Sequence, residues 1–513
     1  MTVRTERELK FVADRDTLRT ALTIPLPGEV THGPVSQVLK STYFDTETLE
    51  LARRGFSLRV RQLGGDCILG VKKGAHAHGG YFERGEEEAP LPSSKVDLNV
   101  LDRRISSELR EIVGKKALAP RFGSDIRRML KTLKFQGADI EVALDEGFLF
   151  AGKRREPTHE IELELKAGEP AALFEFGLAL VDALPLTPSV LSKAERAAEL
   201  LSGKPPEPVR STSSELAPGI PAEEAISVLF RSCFSQFLGN LPVLERGDPI
   251  EDVHQMRVAM RRLRSAFGLV YRLSSSAEFD ALRAESKRIG TLLGQARDWD
   301  VFIQTIRDGP LPGFADAPGF DRFIKAAQSR AEAAHGAVTQ LVNDRTVARF
   351  ALKLDRFVAL RGWRGDAQGD LPDWLSEPVV DFATKSLNRL HRRLLLRGKG
   401  FGSQSPGERH ALRIAAKHVR YAVEFFGSLF HPHSAAERYM NKAQALQDLL
   451  GQGNDATIAL GLVKTLDFAA DSQFAYAAGV AAGWSAHSGG GDAPTLRKAW
   501  RSLRKAEPFW RDG

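Results

Sequence analysis

Cysteine is nearly absent: Cys67 and Cys233 are the only two in 513 residues, and they lie far apart. That excludes a disulfide scaffold and a cysteine metal cluster, and it suits a reducing compartment. The charged start from Arg4 is followed by no apolar h-region, so no secretory signal is expected. Long hydrophobic runs are also missing. The most apolar late stretch, Phe468 to Trp484, is rich in Ala and Gly and carries Asp471 and Gln473, as a packed helix does and a membrane span does not. A cytoplasmic protein with no membrane partner is the expectation. There is no G-x-x-x-x-G-K-S/T loop, no G-x-G-x-x-G after a strand and no G-x-S-x-G elbow, which argues against P-loop, Rossmann and serine-hydrolase chemistry.

Hydrophobic content of 42% and charged content of 27% are those of an ordinary soluble globular protein. The net charge of +7 leans modestly toward an anionic partner, so the placement of the charges matters more than their sum. The length calls for two or more domains. Residues 1–202 read as eight short strands, 3–11, 36–44, 55–62, 67–73, 80–88, 124–135, 139–151 and 157–166, with helices near 14–22, 95–113, 170–183 and 192–202. Mostly hairpin order predicts an antiparallel sheet or barrel. Residues 203–221 hold Pro205, Pro206, Pro208, Pro218 and Pro221 and read as a linker. From 222 to about 507 the period changes to 3.6 and an all-helical domain is expected, with breaks near 309–319, 364–375, 398–407 and 486–493. The fold class is α+β.

The strands carry an unusual charge pattern. In an extended Thr5–Phe11, Glu6, Glu8 and Lys10 share one face and Arg7, Leu9 and Phe11 the other. Arg59 and Arg61 share a face opposite Leu58 and Val60; Glu160, Glu162 and Glu164 share one, as do Glu141 and Asp145, and Arg84, Glu86 and Glu88; Lys72 ends another strand. Alternation alone marks any sheet with one wet face. Here the acids sit on the first and last strands and the bases between them. Closing the sheet would place both in one lumen, where mutual pairing, a metal and a polyanion must offset the burial of charge. Carboxylates suit a hard divalent cation and lysines or arginines an anion, so such a lumen fits a linear phosphate chain with its metal.

Residues 1 to about 202 resemble the CYTH superfamily, the triphosphate tunnel metalloenzymes. The resemblance rests on Glu6-x-Glu8-x-Lys10, Tyr43-Phe44-Asp45-Thr46, Leu58-Arg59-Val60-Arg61, Glu141-Val142-Ala143-Leu144-Asp145, Glu160-Ile161-Glu162-Leu163-Glu164 and Leu191-Ser192-Lys193-Ala194, in the family's order. It implies an eight-stranded antiparallel tunnel that hydrolyses a triphosphate with Mg²⁺ or Mn²⁺. Carried over by position, Glu6, Glu8, Asp145, Glu162 and Glu164 are the implied metal ligands. Lys10, Arg59, Arg61, Lys72, Arg84, Arg128 and Lys193 are the implied phosphate-binding cations, with Arg127 and Lys73 as neighbours able to take two of those places. Lys10, Arg59, Arg61, Glu162 and Glu164 are the expected catalytic set, one of the two glutamates taking the proton of the attacking water.

The helical stretch contains an internal repeat. His254, Arg257, Arg261 and Arg264 recur at identical spacing as His410, Arg413, Lys417 and Arg420, and Leu292-Leu293-Gly294-Gln295 with Asp298 recurs as Leu449-Leu450-Gly451-Gln452 with Asp455. Two blocks at nearly one offset mean duplication. At about 100° per residue each basic set falls within an arc of about 80°, one stripe with no acid in it. Paired stripes form a cationic groove suited to a long polyanion. Residues 222–507 resemble the CHAD domain, a conserved-histidine helical module, through these two blocks. That resemblance implies two pseudo-symmetric four-helix bundles that bind inorganic polyphosphate, and the order CYTH then CHAD occurs in bacterial inorganic triphosphatases.

The expected function is metal-dependent hydrolysis of inorganic triphosphate to pyrophosphate and phosphate in the tunnel, with inorganic polyphosphate bound by the helical domain. The alternatives are a thiamine- or nucleoside-triphosphatase, an adenylyl cyclase, or a non-catalytic polyphosphate binder. The stripes lack interleaved aromatics, which disfavours nucleic acid. The pairs His76/His78 and His431/His433 sit in Gly- and Pro-flanked loops and read as loop residues before metal dyads.

Overall fold

A computed structural model describes residues 4–74, 80–212, 216–271, 276–314, 317–365, 373–466, 471–489 and 493–511. His76 and His78 lie outside the described residues. The chain divides into two compact units: residues 1–207 with 241–247 and 340–362, and residues 208–240 with 248–339 and 363–513.

The first unit is built on β1 (Arg4–Val12), β2 (Glu29–Asp45), β3 (Phe56–Leu63), β4 (Asp66–Lys73), β5 (Tyr81–Leu91), β6 (Ala119–Phe135), β7 (Ala138–Ala151) and β8 (Arg154–Ala167), with a two-residue β9 (Thr187–Pro188). The sheet runs β5-β4-β3-β2-β6-β7-β8-β1-β9 and closes where β1 pairs with β5, every pairing antiparallel. All eight strands read from the sequence are present; β2 and β6 begin earlier than expected, and β9 was not foreseen. Closure leaves the eight barrel strands without a free edge.

Alternation then sends charge inward and apolar side chains outward, so the hydrophobic cores lie on the outside of the barrel. Helices α1 (Arg15–Thr23), α2 (Glu50–Arg53), α3 (Arg103–Val113), α4 (Pro170–Ala183) and α5 (Lys193–Ser202) cover them. Leu9, Phe11, Ile161 and Leu163 pack under Phe174, Phe176 and Leu180 of α4, while Leu58, Val60, Leu69 and Val71 pack under Ile105 and Leu109 of α3. Each fully buried Leu or Phe contributes about 1.5–3 kcal/mol. Asp45 anchors the turn into α2 by accepting from the backbone N–H of Thr46, Leu51 and Ala52 at 2.7, 3.0 and 3.0 Å, a structural task for that motif.

The remaining helices are α6 (Ala222–Gly239), α7 (Leu241–Arg246), α8 (Pro249–Val270), α9 (Ala277–Asp308), α10 (Leu311–Phe314), α11 (Phe320–Asn343), α12 (Arg345–Ala359), α13 (Val379–Arg397), α14 (Pro406–Phe426), α15 (His433–Lys464), α16 (Ser472–Gly489) and α17 (Ala493–Arg504). Although it lies in the helical stretch of the sequence, α12 packs with the first unit. Ala348 and Leu352 join the core above α4, and Arg349 and Arg356 pair with Asp182 and Glu175.

In the second unit α8 packs between α6 and α9, and α14 between α13 and α15. Like helices meet like, α6 with α13, α8 with α14 and α9 with α15, the contact pattern of a twofold-related duplication. The fourth helices, α11 and α16, share one apolar cluster with α9 and α15 through Phe302, Phe323 and Phe474. Arg262, buried at 1% exposure, ties α8 to α14 through Glu424 at 2.6 Å and to Gln236 of α6 at 2.9 Å.

Candidate active site and anion-binding cavity

The barrel lumen is a cavity of about 220 Å³ walled mostly by ionisable side chains. Eight cations line it, Lys10, Arg59, Arg61, Lys72, Arg84, Arg128, Lys166 and Lys193, against eight carboxylates, Glu6, Glu8, Glu86, Glu88, Glu141, Asp145, Glu162 and Glu164. Register explains the meeting: Glu6 lies opposite Arg84, Lys10 opposite Glu162, Glu8 opposite Glu164, Arg128 opposite Asp145 and Lys72 opposite Glu86. Lys193 enters from the first turn of α5, whose start is fixed by a capping box between Ser192 and Glu195. Gly70 stands between Arg59 and Glu88 in the register; a side chain there would come within 3.2 Å of Arg59 Nε, so its absence lets the guanidinium cross the wall.

Two knots of charge result. At the β7–β8 wall Glu162 accepts from Lys10, Lys193 (2.8 Å) and Arg128, while Asp145 accepts from Arg128 at 2.6 and 2.7 Å and pairs with Lys193 at 2.8 Å. Burial alone would raise the Glu162 carboxyl, but the three cations outweigh it and hold the group well below the carboxylate range. Across the lumen Lys72 grips Glu6 at 2.6 and 2.7 Å, Arg84 pairs with Glu8, and Arg59 reaches Glu86 and Glu88 at 3.1 Å each. Arg61 is the least satisfied cation. Among the described residues its one ion pair is Glu88 at 3.5 Å, shared with Arg59, and Arg59 and then burial push its guanidinium down to about 10.

Every tunnel residue expected from the sequence therefore meets in one cavity. Arg128 and Lys72 face the lumen; Arg127 is exposed and Lys73 turns outward to Glu108 at 2.6 Å. Four lumen-lining groups, Lys166, Glu86, Glu88 and Glu141, and the neighbouring pair Glu160 and Arg196 carried no assigned role. Lys166 pairs with Glu164 and Glu141 at 2.6 and 3.1 Å, Glu160 accepts from Lys193 at 2.6 Å, and Arg196 holds Glu160 at 2.6 Å and Glu156 at 2.8 Å. Lys166 was legible as the next step of the alternation after Glu164, and Arg196 as the helical neighbour of Lys193 three residues on.

Among the described residues no three His, Cys, Asp or Glu side chains already stand in metal-coordinating geometry. The donor chemistry nevertheless fits a hard divalent ion. Burial first raises the Glu164 carboxyl from its ordinary value, Lys166 opposes the rise, and Glu6 and Glu141 add to it, so carboxylates crowd at this wall. A divalent cation held by Glu6, Glu164 and Glu141, with Glu8 adjacent in the register, would relieve that crowding. The pair His431 and His433 has ring centroids 4.2 Å apart, with no third ligand among the described residues.

The helical unit brings the two basic stripes together unequally. His254, Arg257 and Arg261 of α8 and Arg413 of α14 line one cavity of about 510 Å³, with Arg297, Asp298, Asp448 and Asp455 from α9 and α15. Arg264 lines a second, of about 1140 Å³, with Arg283, Lys287, Arg389, Arg392 and Arg393. Lys417 lies among the arginines; burial first, then Arg261, Arg264, Arg413 and Arg257, push its ammonium down to about 7. His254 is lowered by burial and Arg297, and its Nδ1 is buried without a hydrogen-bond partner among the described residues. His410 is exposed and lines neither cavity, and Arg420 is occupied by Gln447 at 3.2 Å and Glu424 at 3.5 Å.

Comparison with known proteins agrees with both halves. Residues 4–198 match the CYTH domain and residues 228–464 the CHAD domain. The inorganic triphosphatase of Haemophilus influenzae is 33% identical over 162 residues, 31% of this chain and 44% of that protein, so the match spans less than half of the relative. An uncharacterized protein of Mycobacterium tuberculosis is 26% identical over 455 residues, covering 83% of this chain and 81% of its own length. The crystal structure of the CHAD domain from the plant Ricinus communis is 28% identical with a TM-score of 0.49 over 59% of this chain and 99% of that one. A closed ionic barrel followed by a duplicated helical unit with paired basic stripes thus identifies this chain as a CYTH domain followed by a CHAD domain.

Proposed function

We propose that the tunnel hydrolyses inorganic triphosphate to pyrophosphate and phosphate with Mg²⁺ or Mn²⁺, and that the helical unit binds inorganic polyphosphate. The observation that carries the first part is the balance of eight cations against eight carboxylates in a 220 Å³ lumen. A triphosphate entering this space must draw Lys10, Arg59, Arg61, Lys72, Arg84, Arg128 and Lys193 away from their carboxylates. Each buried carboxylate left alone costs several kcal/mol. Glu6, Glu141 and Glu164, with Glu8 beside them, would hold a divalent cation that neutralises them, so a metal–triphosphate complex fits the exchange and a bare anion does not. The Haemophilus influenzae relative is an inorganic triphosphatase, which supports the same reading.

Phosphoryl transfer needs positioning and charge neutralisation more than covalent help. The bound metal would supply charge neutralisation at the phosphate oxygens and orientation of water. The chain's own residues do the rest. Arg59, Arg61 and Arg84 hold the non-reacting phosphates, and Lys10, Arg128 and Lys193 neutralise the charge that builds on the oxygens of the terminal phosphoryl group. Water attacks the terminal phosphorus, the bridging P–O bond breaks toward pyrophosphate, and the water's proton passes to a carboxylate. Of the two candidates Glu162 is held down by three cations and serves to position them.

A second reading has one observation in its favour. A cavity of about 490 Å³ adjoins the lumen through Lys72, Arg84, Tyr43 and Ser192 and is walled by Phe44, Phe56 and Phe122, room for the organic part of a nucleoside or thiamine triphosphate. Phosphate release from inorganic triphosphate and from organic triphosphates, with Mg²⁺ or Mn²⁺ and with chelator, tests both. Turnover that chelator and Glu6→Ala each abolish is expected; release unchanged in Glu6→Ala would refute the tunnel as the site. A chain that turns over none of these substrates yet retains polyphosphate would be a binder alone.

A further inference from the structure

Duplication gives the helical unit two related grooves, and they are filled differently. Arg262 of α8 and His418 of α14 hold one place in the repeat, equally far after His254 and His410, and Gly268 and Glu424 hold another. The groove at Arg262, bounded by α6, α8 and α14, is occupied by the chain itself. Residues 209–212, which form neither helix nor strand, run along it: Arg262 Nη2 donates to the Thr212 carbonyl at 3.2 Å, and the Asn240 amide holds the backbone N–H and carbonyl of Val209 at 2.9 and 3.0 Å. Glu424 and Gln236 take up the rest of the guanidinium. The groove at His418, bounded by α13, α14, α8 and α9, is the cavity of about 1140 Å³, and no described segment runs along it. Gly268 stands there in place of Glu424, so the acid that balances Arg262 has no counterpart. Among the described residues seven cations line this groove against one carboxylate, Asp280, which Arg283 already holds at 3.5 Å. Lys287, Arg392 and Arg393 have no ion pair among the described residues. The barrel lumen balances its cations internally; this groove does not. Burial first, then Lys417, Arg393 and Arg264, push the His418 imidazole down to about 4. Tyr271 and Leu396, 47% and 61% exposed, line the same groove.

We propose that the groove at His418 is a docking site for an extended acidic segment of a partner protein, one that carries apolar side chains among its carboxylates. Its backbone takes the course that residues 209–212 take in the related groove. Its carboxylates meet Lys287, Arg392 and Arg393, and its apolar side chains cover Tyr271 and Leu396, a charged rim around an apolar contact. A bare phosphate chain would meet the same cations but leave both apolar residues in water, forgoing the gain from burying them. Of the eight residues in the two basic stripes only Arg264 lines this groove, while Arg257, Arg261 and Arg413 line the other cavity. The docking site therefore stands apart from the cavity to which polyphosphate binding is ascribed.

The test uses the full chain at one salt concentration and three labelled probes: a peptide of mixed glutamate and valine, which favours extended backbone, polyglutamate of equal charge, and long-chain inorganic polyphosphate. The mixed peptide should bind, and more tightly than polyglutamate. Arg392→Ala with Arg393→Ala, both exposed on α13 and so removable without loss of the fold, should weaken it about tenfold, the scale of one or two hydrogen bonds to charge. Leu396→Ser should remove the advantage of the mixed peptide and leave polyglutamate unchanged, a result that a general loss of charge or of folding does not give. Arg257→Ala, in the other cavity, should leave peptide binding unchanged. Failure of the wild-type chain to bind the mixed peptide would overturn the assignment, and so would an equal loss of peptide in Arg257→Ala. Polyphosphate losing as much affinity as the peptide in Arg392→Ala with Arg393→Ala would make the groove part of a polyphosphate site and overturn it as well.

Discussion

Replacing Arg61 by glutamine should stabilise the empty tunnel and weaken its hold on triphosphate. Arg61 is buried beside Arg59, shares Glu88 with it at 3.5 Å, and its guanidinium falls from its ordinary value to about 10. A base whose folded value lies below its unfolded one is a net cost throughout neutral pH, and the cost fades only as pH climbs through about 10 toward the unfolded value. A fall of that size corresponds to about 3 kcal/mol, and screening at the partly exposed end of the side chain leaves ~1–2 kcal/mol. For a domain of this size each kcal/mol moves the melting midpoint by about 2–4 °C, so the substrate-free variant should melt roughly 2–8 °C higher. Triphosphate should reverse the order, because it neutralises Arg59 and Arg61 together and the variant forgoes half of that gain. Thermal melts with and without triphosphate, beside phosphate-release rates, make the measurement. A substrate-free Arg61→Gln chain that melts lower than wild type would show that Glu88 outweighs the like-charge stress, and the account of a tunnel strained toward its substrate would fail.

Three further outcomes are expected. Glu162→Gln should lower tunnel stability by about 3 kcal/mol, the low end for breaking a buried pair, because Lys10 keeps Glu8 at 3.0 Å and Lys193 and Arg128 keep Asp145; denaturant midpoints at neutral pH read this. Since its folded carboxyl lies well below 4.5, that stability is present above about pH 4.5 and is lost as pH falls further, so the variant should show a smaller acid-induced loss than wild type. Lys417, lowered to about 7 from 10.5, leaves the helical unit most stable above 10.5 and progressively less so as pH falls toward 7, while a bound polyanion favours its charged form; polyphosphate affinity should therefore rise from pH 8 to pH 6, and Lys417→Met should flatten that profile. Leu352→Ala, far outside the segment matched to the CYTH domain, should destabilise the barrel unit by about 2–4 kcal/mol, because Leu352 is fully buried in the core above α4; an unchanged barrel melt would show that α12 is not part of that core.

The eight strands, the duplication and the tunnel charges were legible because each rests on a local period. A two-residue alternation assigns Glu6, Glu8, Lys10, Arg59, Arg61, Glu162 and Glu164 to one face of their strands whatever the strands pair with. The basic stripes were legible for the same reason at a period of 3.6, and the ambiguity between Arg127 and Arg128 arose only where adjacent residues share a charge. Roles were less legible than positions. Nothing local told Glu162, pinned by three cations, from Glu164, crowded by two carboxylates, or Arg257 and Arg413, seated in a cavity, from His410, left on the surface.

The sequence by itself determined which side chains share a face, that the helical half is doubled, and that acids and bases alternate along separate strands. The tertiary structure alone decided which charges meet: the β1–β5 closure that sets Glu6 against Arg84, the pairing of Lys166 with Glu141, and the departure of α12 to the barrel unit. The reason is range. A strand or helix fixes its own faces through backbone geometry within a few residues, whereas a buried ion pair depends on register between segments as far apart as Lys10 and Glu162, and no local period carries that information.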